Sequence, residues 1–448
     1  MNMQALKSKI EAREIDTVII AFPDVLGRLM GKRATAHYFI DQVLEGGTHG
    51  CNYLLTVNME MDPVTGFKLA NWEKGFGDFE MRPDLTTLRL LPWQPGTAVV
   101  FCDLFHHGGA PVQESPRAVL QNQLQLLADK GMSCQIASEL EFFLFNNTYH
   151  DAFVANYTNL VPSSDYRIDY HIMQPARDET IMRALRNAMD EAEVPVESSK
   201  GEWGKGQHEV NFTHDEPLMV ADRHIVFKQG AKEIAQQNGK AITFMAKFSA
   251  ADAGSSCHIH ISLWAKNRNL FWDEKKRAGS KFFRQFLGGL MKHSPELGYF
   301  YAPTINAYKR YQPASWAPTK MAWAFDNRTV GFRVVGDGPS FRIENRMPGA
   351  DANPYLAFAA MIAAGLAGVK EDLDCGKLYE GNAYVDDALP SLPRSLRDAA
   401  DLLDRSKIAR KALGDEVVEF YVHTARSEVQ AFSDAVTDWE RVRYFERI

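Results

Sequence analysis

Apolar positions recur along this chain with a period of two in some stretches and near 3.6 in others, the spacings that separate strands from helices. A helical opening gives way to a β-branched run at residues 17–22, and Asp24 to Gly27 supplies a turn into a second extended stretch, Arg28 to Lys32. Phe101-Cys102-Asp103 reads as the last strand of a small, β-rich first domain. Residues 106–114 then lose their periodicity, and Ser115-Pro116 opens a helix that Gly131 ends. These signals predict a domain boundary near residue 110, dividing the chain into 1–110 and 111–448. In the second part residues 135–145 alternate as a strand. Further strands are predicted at 206–212, 241–248, 256–263 and 328–346, with helices between them. From Pro354 onward the pattern is mostly helical, with charge-rich amphipathic segments at 395–403 and 425–436.

The longest uncharged run, 353–369, is shorter than the ~20 residues that span a bilayer. It begins Asn353-Pro354, an N-cap followed by proline in the first turn, and so predicts a buried core helix. With 45% apolar and 24% charged residues among 448, the chain is neither disordered nor fibrous, and at ~150 residues per domain it holds two or three domains. Its formal charge of 50 − 57 = −7 gives it no bulk attraction to nucleic acid or anionic membrane, and neither partner is expected. Cys51, Cys102, Cys134, Cys257 and Cys375 are odd in number and form no CxxC pair, which argues against a disulfide framework or zinc knuckle. The first thirty residues mix Lys7, Lys9, Glu11, Arg13 and Glu14 with apolar positions, unlike a signal peptide, so a reducing, cytoplasmic setting is expected.

No P-loop, dinucleotide-binding glycine pattern, GxSxG elbow or HExxH is present, which removes the common ATPase, dehydrogenase, serine hydrolase and zinc peptidase readings. What stands out is carboxylates on strands, where propensity disfavours them. Glu139 and Glu141 lie two apart and share one strand face; hard carboxylate oxygens in so apolar a segment suit Mg²⁺ or Mn²⁺, although a solvated sheet face would read the same way. Lys200-Gly201-Glu202-Trp203-Gly204-Lys205-Gly206-Gln207-His208-Glu209 carries a tight turn across which Glu202 and Glu209 could meet, or simply a hairpin with exposed acids. In Gly254-Ser255-Ser256-Cys257-His258-Ile259-His260-Ile261-Ser262 the two histidines share a face and the Gly-Ser-Ser stretch can offer amides to an anion, though HxH pairs are often structural. Arg342, Glu344 and Arg346 share another face, with Arg310, Arg328 and Arg333 upstream. So many guanidiniums suit a polyanion, or surface ion pairs.

Together, Glu139-Leu-Glu141-Phe, Gly206-Gln-His-Glu209, Thr243-Phe-Met-Ala-Lys247, Gly254-Ser-Ser-Cys-His258-Ile-His260, Asn306-Ala-Tyr-Lys-Arg310 and Arg342-Ile-Glu344-Asn-Arg346 resemble the glutamine synthetase family over nearly the whole chain. The resemblance implies an α+β fold, with a small β-grasp-like N-terminal domain and a larger catalytic domain whose curved antiparallel sheet is flanked by helices. It implies one divalent metal held by Glu141, Glu202 and Glu209 and a second held by Glu139, His258 and Glu344. Gly254, Arg310 and Arg346 would grip glutamate, Arg328 and Arg333 would face the ATP phosphates, and Ser262, His260 and Arg342 would lie on the nucleotide side. The expected assembly is a dodecamer of two hexameric rings with sites between subunits.

The chemistry implied is activation of the glutamate γ-carboxylate by ATP as an acyl phosphate, followed by attack of an amine. The empty carboxylate cluster would be strongly self-repulsive, so stability is expected to depend on metal. Three departures from the family pattern concern substrate contacts. Trp316 stands where a mobile loop carries a glutamate, residues 46–59 contain no carboxylate where the family has an acidic residue for ammonium, and Ala253 replaces an asparagine before Gly254. An indole can pack against an organic substituent or face a cation. The expectation is a ligase joining glutamate to a small organic amine, such as an alkylamine, aromatic amine or polyamine. The alternatives are glutamine synthetase itself and a catalytically silent relative, which would be expected to lose metal ligands.

Overall fold

Val18, Ile20 and Phe22 bury one side of strand β1 (Thr17–Pro23) in a five-stranded sheet, in a computed structural model that describes residues 1–173 and 175–448. The sheet also contains β2 (Leu29–Thr35), β3 (Thr48–Cys51), β4 (Asp78–Leu90) and β5 (Thr97–Phe105), in the order β2-β1-β5-β4-β3 with β1 and β5 parallel. The turn from β1 to β2 is held by Asp24, whose carboxylate accepts from the backbone N–H groups of Leu26 and Arg28 and from Arg28 Nε. Gly27 takes the positive φ of 76° that closes this turn.

The alternating run at 135–145 becomes β6 (Ser133–Phe145), the middle of a larger sheet. With β7 (Val196–Gly201), β8 (Gln207–Phe212), β9 (Ala241–Thr243), β10 (Cys257–Ala265), β11 (Trp323–Phe325), β12 (Phe332–Val335) and β13 (Arg342–Asn345), the path runs β11-β12-β13-β10-β6-β8-β7, and β9 pairs with the far end of β6. Every pairing on this path is antiparallel except β11 with β12. Leu140 and Phe142 leave the opposite face of β6, where Phe142 meets Phe227 of the helix Pro217–Gln237.

Helix α1 spans Met3–Glu11 and α2 Pro116–Ala128, followed by Gly131 at φ 65°. Further along come α3 (Glu179–Glu191), α4 (Pro217–Gln237), α5 (Lys281–His293), α6 (Pro354–Lys370), α7 (Leu396–Arg405) and α8 (Asp415–Asp434). The uncharged run at 353–369 thus forms the helix expected, buried on almost every side. No helix among the described residues is long and apolar enough to cross a membrane. Buried Arg117 joins the two sheets' layers: its guanidinium donates to Asp222 of α4, to Asp84 of β4 and to Asp103 of β5.

Two strand expectations are corrected. Residues 328–346 are two antiparallel strands, β12 and β13, because Gly336 (φ 80°) and Gly338 (φ 49°) adopt left-handed backbone and reverse the chain. Of 241–248, only Ala241–Thr243 pairs in the sheet; beyond it the backbone bends away, and the Ala246 carbonyl accepts instead from the Ser255 N–H.

Candidate active site

Directly opposed residues in an antiparallel sheet point to the same face, so the register fixes what the larger sheet displays. One cross-strand row reads Arg333, Glu344, His260; the next His258, Glu139, Asn211; the third Glu141, Glu209, Lys200. Every charged residue in these rows therefore leaves the same side of the sheet. Two adjoining cavities lie over that side, with Glu139 and Asn211 in both walls. The larger, about 520 Å³, gathers Glu139, Glu141, Glu202, Glu209, His258 and Glu344 with Arg328, Arg333, Arg346 and Trp316. The smaller, about 470 Å³, is lined by His260, Ser262, Arg342 and Trp264 among others.

Within the larger cavity, ligand atoms of Glu139, His258 and Glu344 lie within 4.8 Å of one another, as do those of Glu141, Glu209 and His258. Glu202 joins neither group, since its carboxylate is in contact with the Lys200 ammonium, which also lies 3.7 Å from Glu209. The two groups differ electrostatically. Burial would raise the Glu139 carboxyl, but hydrogen bonds to His258 (3.2 Å) and His260 (2.9 Å) outweigh it and hold the group far below the usual range. Glu344 likewise overcomes burial: Arg346 at 2.5 Å, with His258 and His260, brings its pKa down to about 2, and Arg333 donates a further bond at 2.8 Å. Glu141 and Glu209 go the other way. Burial, then repulsion from Glu202, raises both, against a bond from the Ser256 N–H to Glu141 and the charge of Lys200 near Glu209.

Such a donor set fits divalent cations. His258 gives Nδ1 to Glu139, while its buried Nε2 finds no hydrogen-bond partner among the described residues. His258 belongs to both groups, and a buried imidazole nitrogen without a partner in a cluster of carboxylates is an arrangement a divalent ion satisfies. Lys200 carries the positive charge there: burial opposes its ionisation, but Glu202 and Glu209 outweigh that and raise its pKa.

The other expected residues divide between the cavities and the packing behind them. Arg328 and Arg333 line the larger cavity, and Arg333 also donates to Asp326 at 3.0 Å. Arg346 lines it too and reaches the Trp316 carbonyl at 3.3 Å. Arg310 is wholly buried, its donors given to the Met347 carbonyl (2.8 Å), the Arg346 carbonyl (3.0 Å) and Ser256 Oγ (2.9 Å). It presses on Gly254, where an added Cβ would sit 2.7 Å from both Arg310 Cγ and the Ala246 carbonyl oxygen. In the smaller cavity Arg342 Nε donates to His260 Nδ1 at 3.2 Å, and Trp264 Nε1 donates to Ser262 Oγ at 2.9 Å. Trp316, at φ 65° and half-exposed, meets Trp203 edge-on with ring centroids 5.7 Å apart, and Arg167 lies over the other indole at 4.5 Å.

Sequence reasoning passed over three groups here. Gln207, whose Nε2 donates to Glu141 and to the Gly254 carbonyl, had been visible only as part of a motif. Lys200 acquires its place from the register of β7 against β8, which alternation alone does not set. Asp169 and Tyr170 enter the wall from an irregular stretch that has no periodicity to read.

Comparison with known proteins agrees with this geometry. Residues 113–444 match the glutamine synthetase catalytic domain. Over the full chain and 96% of the relative, the sequence is 48% identical to the γ-glutamylethanolamide synthetase GlnA4 of Streptomyces coelicolor. It is 36% identical to a glutamate–isopropylamine ligase of a Pseudomonas species, over 98% of this chain and 97% of that one. A solved structure described as a GmaS/ADP complex superposes with a TM-score of 0.86 at 27% identity, covering 98% of this chain and 99% of the other. Agreement of this kind over the full length means that the chain belongs to the glutamine synthetase family, in its branch of γ-glutamylamine synthetases.

Proposed function

We propose that this protein is an ATP-dependent ligase that joins the γ-carboxylate of glutamate to a small organic amine through γ-glutamyl phosphate. The observation that carries the reading is the indole wall of Trp316 and Trp203 at a cavity otherwise lined with carboxylates and guanidiniums. Apolar surface there matches a carbon-bearing amine better than ammonium. The names of the relatives, which specify ethanolamide and isopropylamine products or substrates, and the ADP in the related GmaS complex support the same class of reaction.

In this reading a glutamate carboxylate oxygen attacks the γ-phosphorus of ATP and ADP leaves; the amine nitrogen then attacks the acyl carbon, phosphate leaves, and one proton is lost from nitrogen. Glu139, His258 and Glu344 would hold one divalent ion, Mg²⁺ or Mn²⁺, and Glu141, Glu209 and Glu202 another, the last after release from Lys200. Bound there, such ions would neutralise phosphate oxygens. Arg328 and Arg333 stabilise charge that develops on the transferring group. Arg346 binds the glutamate carboxylates beside the Gly254 backbone, and Arg310 holds that segment in place by closing on Gly254 and Ser256. His260, Ser262 and Arg342 bound the nucleotide side in the smaller cavity.

The proposal extends to organisation. Residues 1–110 form a β-grasp-like domain, supported by the mixed five-stranded sheet with its central parallel pair, and 111–448 form the catalytic domain. The assembly is a dodecamer of two hexameric rings with sites between subunits, working in the cytoplasm. The test is phosphate release with ATP, Mg²⁺ and glutamate, comparing ammonium with methylamine, isopropylamine, ethanolamine, putrescine and aniline. One organic amine is expected to exceed ammonium by roughly tenfold or more in kcat/KM. Ammonium outpacing every organic amine would mean that this is a glutamine synthetase.

A further inference from the structure

Six carboxylates line the larger cavity, and five of them are engaged by neighbours: Glu139 by His258 and His260, Glu344 by Arg333 and Arg346, Glu141 by Gln207 and the Ser256 N–H, and Glu202 and Glu209 by Lys200. The sixth is Asp169. Among the described residues its side chain takes part in no hydrogen bond or ion pair, while its backbone N–H donates to the Glu202 carbonyl at 3.0 Å and ties it to the rim of the site. The positive charges that act on Asp169, Lys200 and Arg328, lie beyond hydrogen-bond and ion-pair distance of its carboxylate, which leaves its oxygens open to a cation from solution.

Its surroundings narrow the kind of cation. Asp169 adjoins Tyr170, and the same cavity is walled by Trp203 and Trp316. The Lys200 ammonium lies 4.4 Å from the Tyr170 ring centroid, so a primary alkylammonium, here one of the chain's own, already rests in this corner against an aromatic face and beside carboxylate. Aromatic faces beside a carboxylate attract organic ammonium groups, the ring face taking part of the charge and the carboxylate the N–H donors. It also compensates for the two absent acids, the loop position taken by Trp316 and residues 46–59.

We propose that Asp169 is the residue that receives the cationic amine, with Tyr170, Trp203 and Trp316 covering its carbon chain, so that the accepted class is a short primary alkylammonium and not an aromatic amine. The inference rests on the glutamate–amine ligase reading. Asp169 acts by binding and orienting the cation; the proton that leaves the nitrogen is not assigned to it.

The test compares wild type with Asp169→Asn and Asp169→Glu, using the best amine of the panel above and hydroxylamine, which is uncharged at neutral pH. Losing one charge-assisted contact is expected to raise the KM for the alkylamine in Asp169→Asn roughly 10- to 100-fold. The KM values for ATP and glutamate and the rate with hydroxylamine should stay at wild-type levels, and Asp169→Glu should recover most of the amine affinity. Because the side chain makes no hydrogen bond or ion pair among the described residues, the melting temperature should stay within about 2 °C of wild type, and a change in amine KM then reports recognition. An unchanged alkylamine KM in Asp169→Asn, or equal losses with alkylamine and hydroxylamine, overturns the assignment. A wild-type protein that releases no phosphate with any organic amine overturns the ligase reading instead, so the two failures are told apart.

Discussion

Lys200 faces Glu209 across the β7–β8 ladder and contacts Glu202, placing a fixed positive charge among three carboxylates. Replacing it with methionine keeps the aliphatic stem and removes the charge, leaving Glu141, Glu202 and Glu209 to repel one another. The pair is neither fully buried nor fully open, so Lys200→Met is expected to destabilise the protein in EDTA by about 1–3 kcal/mol, between the buried and exposed limits. The same change should tighten Mn²⁺ binding, since the ion no longer displaces a tethered ammonium. Urea denaturation in EDTA and a Mn²⁺ titration check the two halves, and equal stability with unchanged Mn²⁺ affinity contradicts the argument. This residue also marks how far reading the sequence reached. Glu139, Glu141, His258 and Glu344 were legible because a strand's period of two and the neighbouring motifs single them out. Lys200 was not, because its contact depends on which residue of one strand faces which residue of the next. Asp169 was not, because an irregular segment carries it to the wall.

Among the elements, the uncharged helix α6 was legible from composition and its Asn-Pro start, yet the reason for its small residues shows only in the crossing with α5. A Cβ added at Gly289 would stand 2.7 Å from Gly368 Cα and equally close to Gly368 N, so the two helices touch backbone to backbone. Alanine ordinarily stabilises a helix over glycine by roughly 1 kcal/mol, but here the methyl must push the helices apart. Gly289→Ala is therefore expected to destabilise by about 1–3 kcal/mol, the cost of overpacking, read as a lower urea midpoint; a raised midpoint would show that the crossing yields freely. The consequence reaches the start of α6, where Asn353 Nδ2 donates to the Asp24 and Val25 carbonyls and so fastens the β1–β2 turn to the layer beneath the site. The misread hairpin at 328–346 has the opposite origin. Its alternation is genuine in both halves, and only the left-handed backbone at Gly336 and Gly338 turns one strand into two, bringing Arg333 against Glu344.

For the whole molecule, the site's carboxylates affect stability with opposite signs. Glu139 and Glu344 titrate below the ordinary value of 4.5, so the stability they contribute is fully present above 4.5 and is lost as the pH falls below it, through about 2 for Glu344 and lower still for Glu139. Glu141 and Glu209 titrate above 4.5, mainly through burial, so the folded chain binds more protons than the unfolded one, and stability falls as the pH rises through their folded values. Buried His258, whose pKa burial lowers, works against that fall by favouring the folded state once the unfolded histidine deprotonates. Metal bound as proposed would align the two effects, because it would require ionised Glu141 and Glu209 and a neutral His258. The stabilisation that Mg²⁺ or Mn²⁺ adds over EDTA is therefore expected to grow steadily from about pH 5 to about pH 8, with protons released on binding. Paired urea denaturations at each pH measure the first, and calorimetric titrations in buffers of different ionisation enthalpy measure the second. A metal increment that stays flat with pH, or binding without proton release, would mean that these carboxylates are already ionised in the folded protein and that Lys200 alone suffices to hold them.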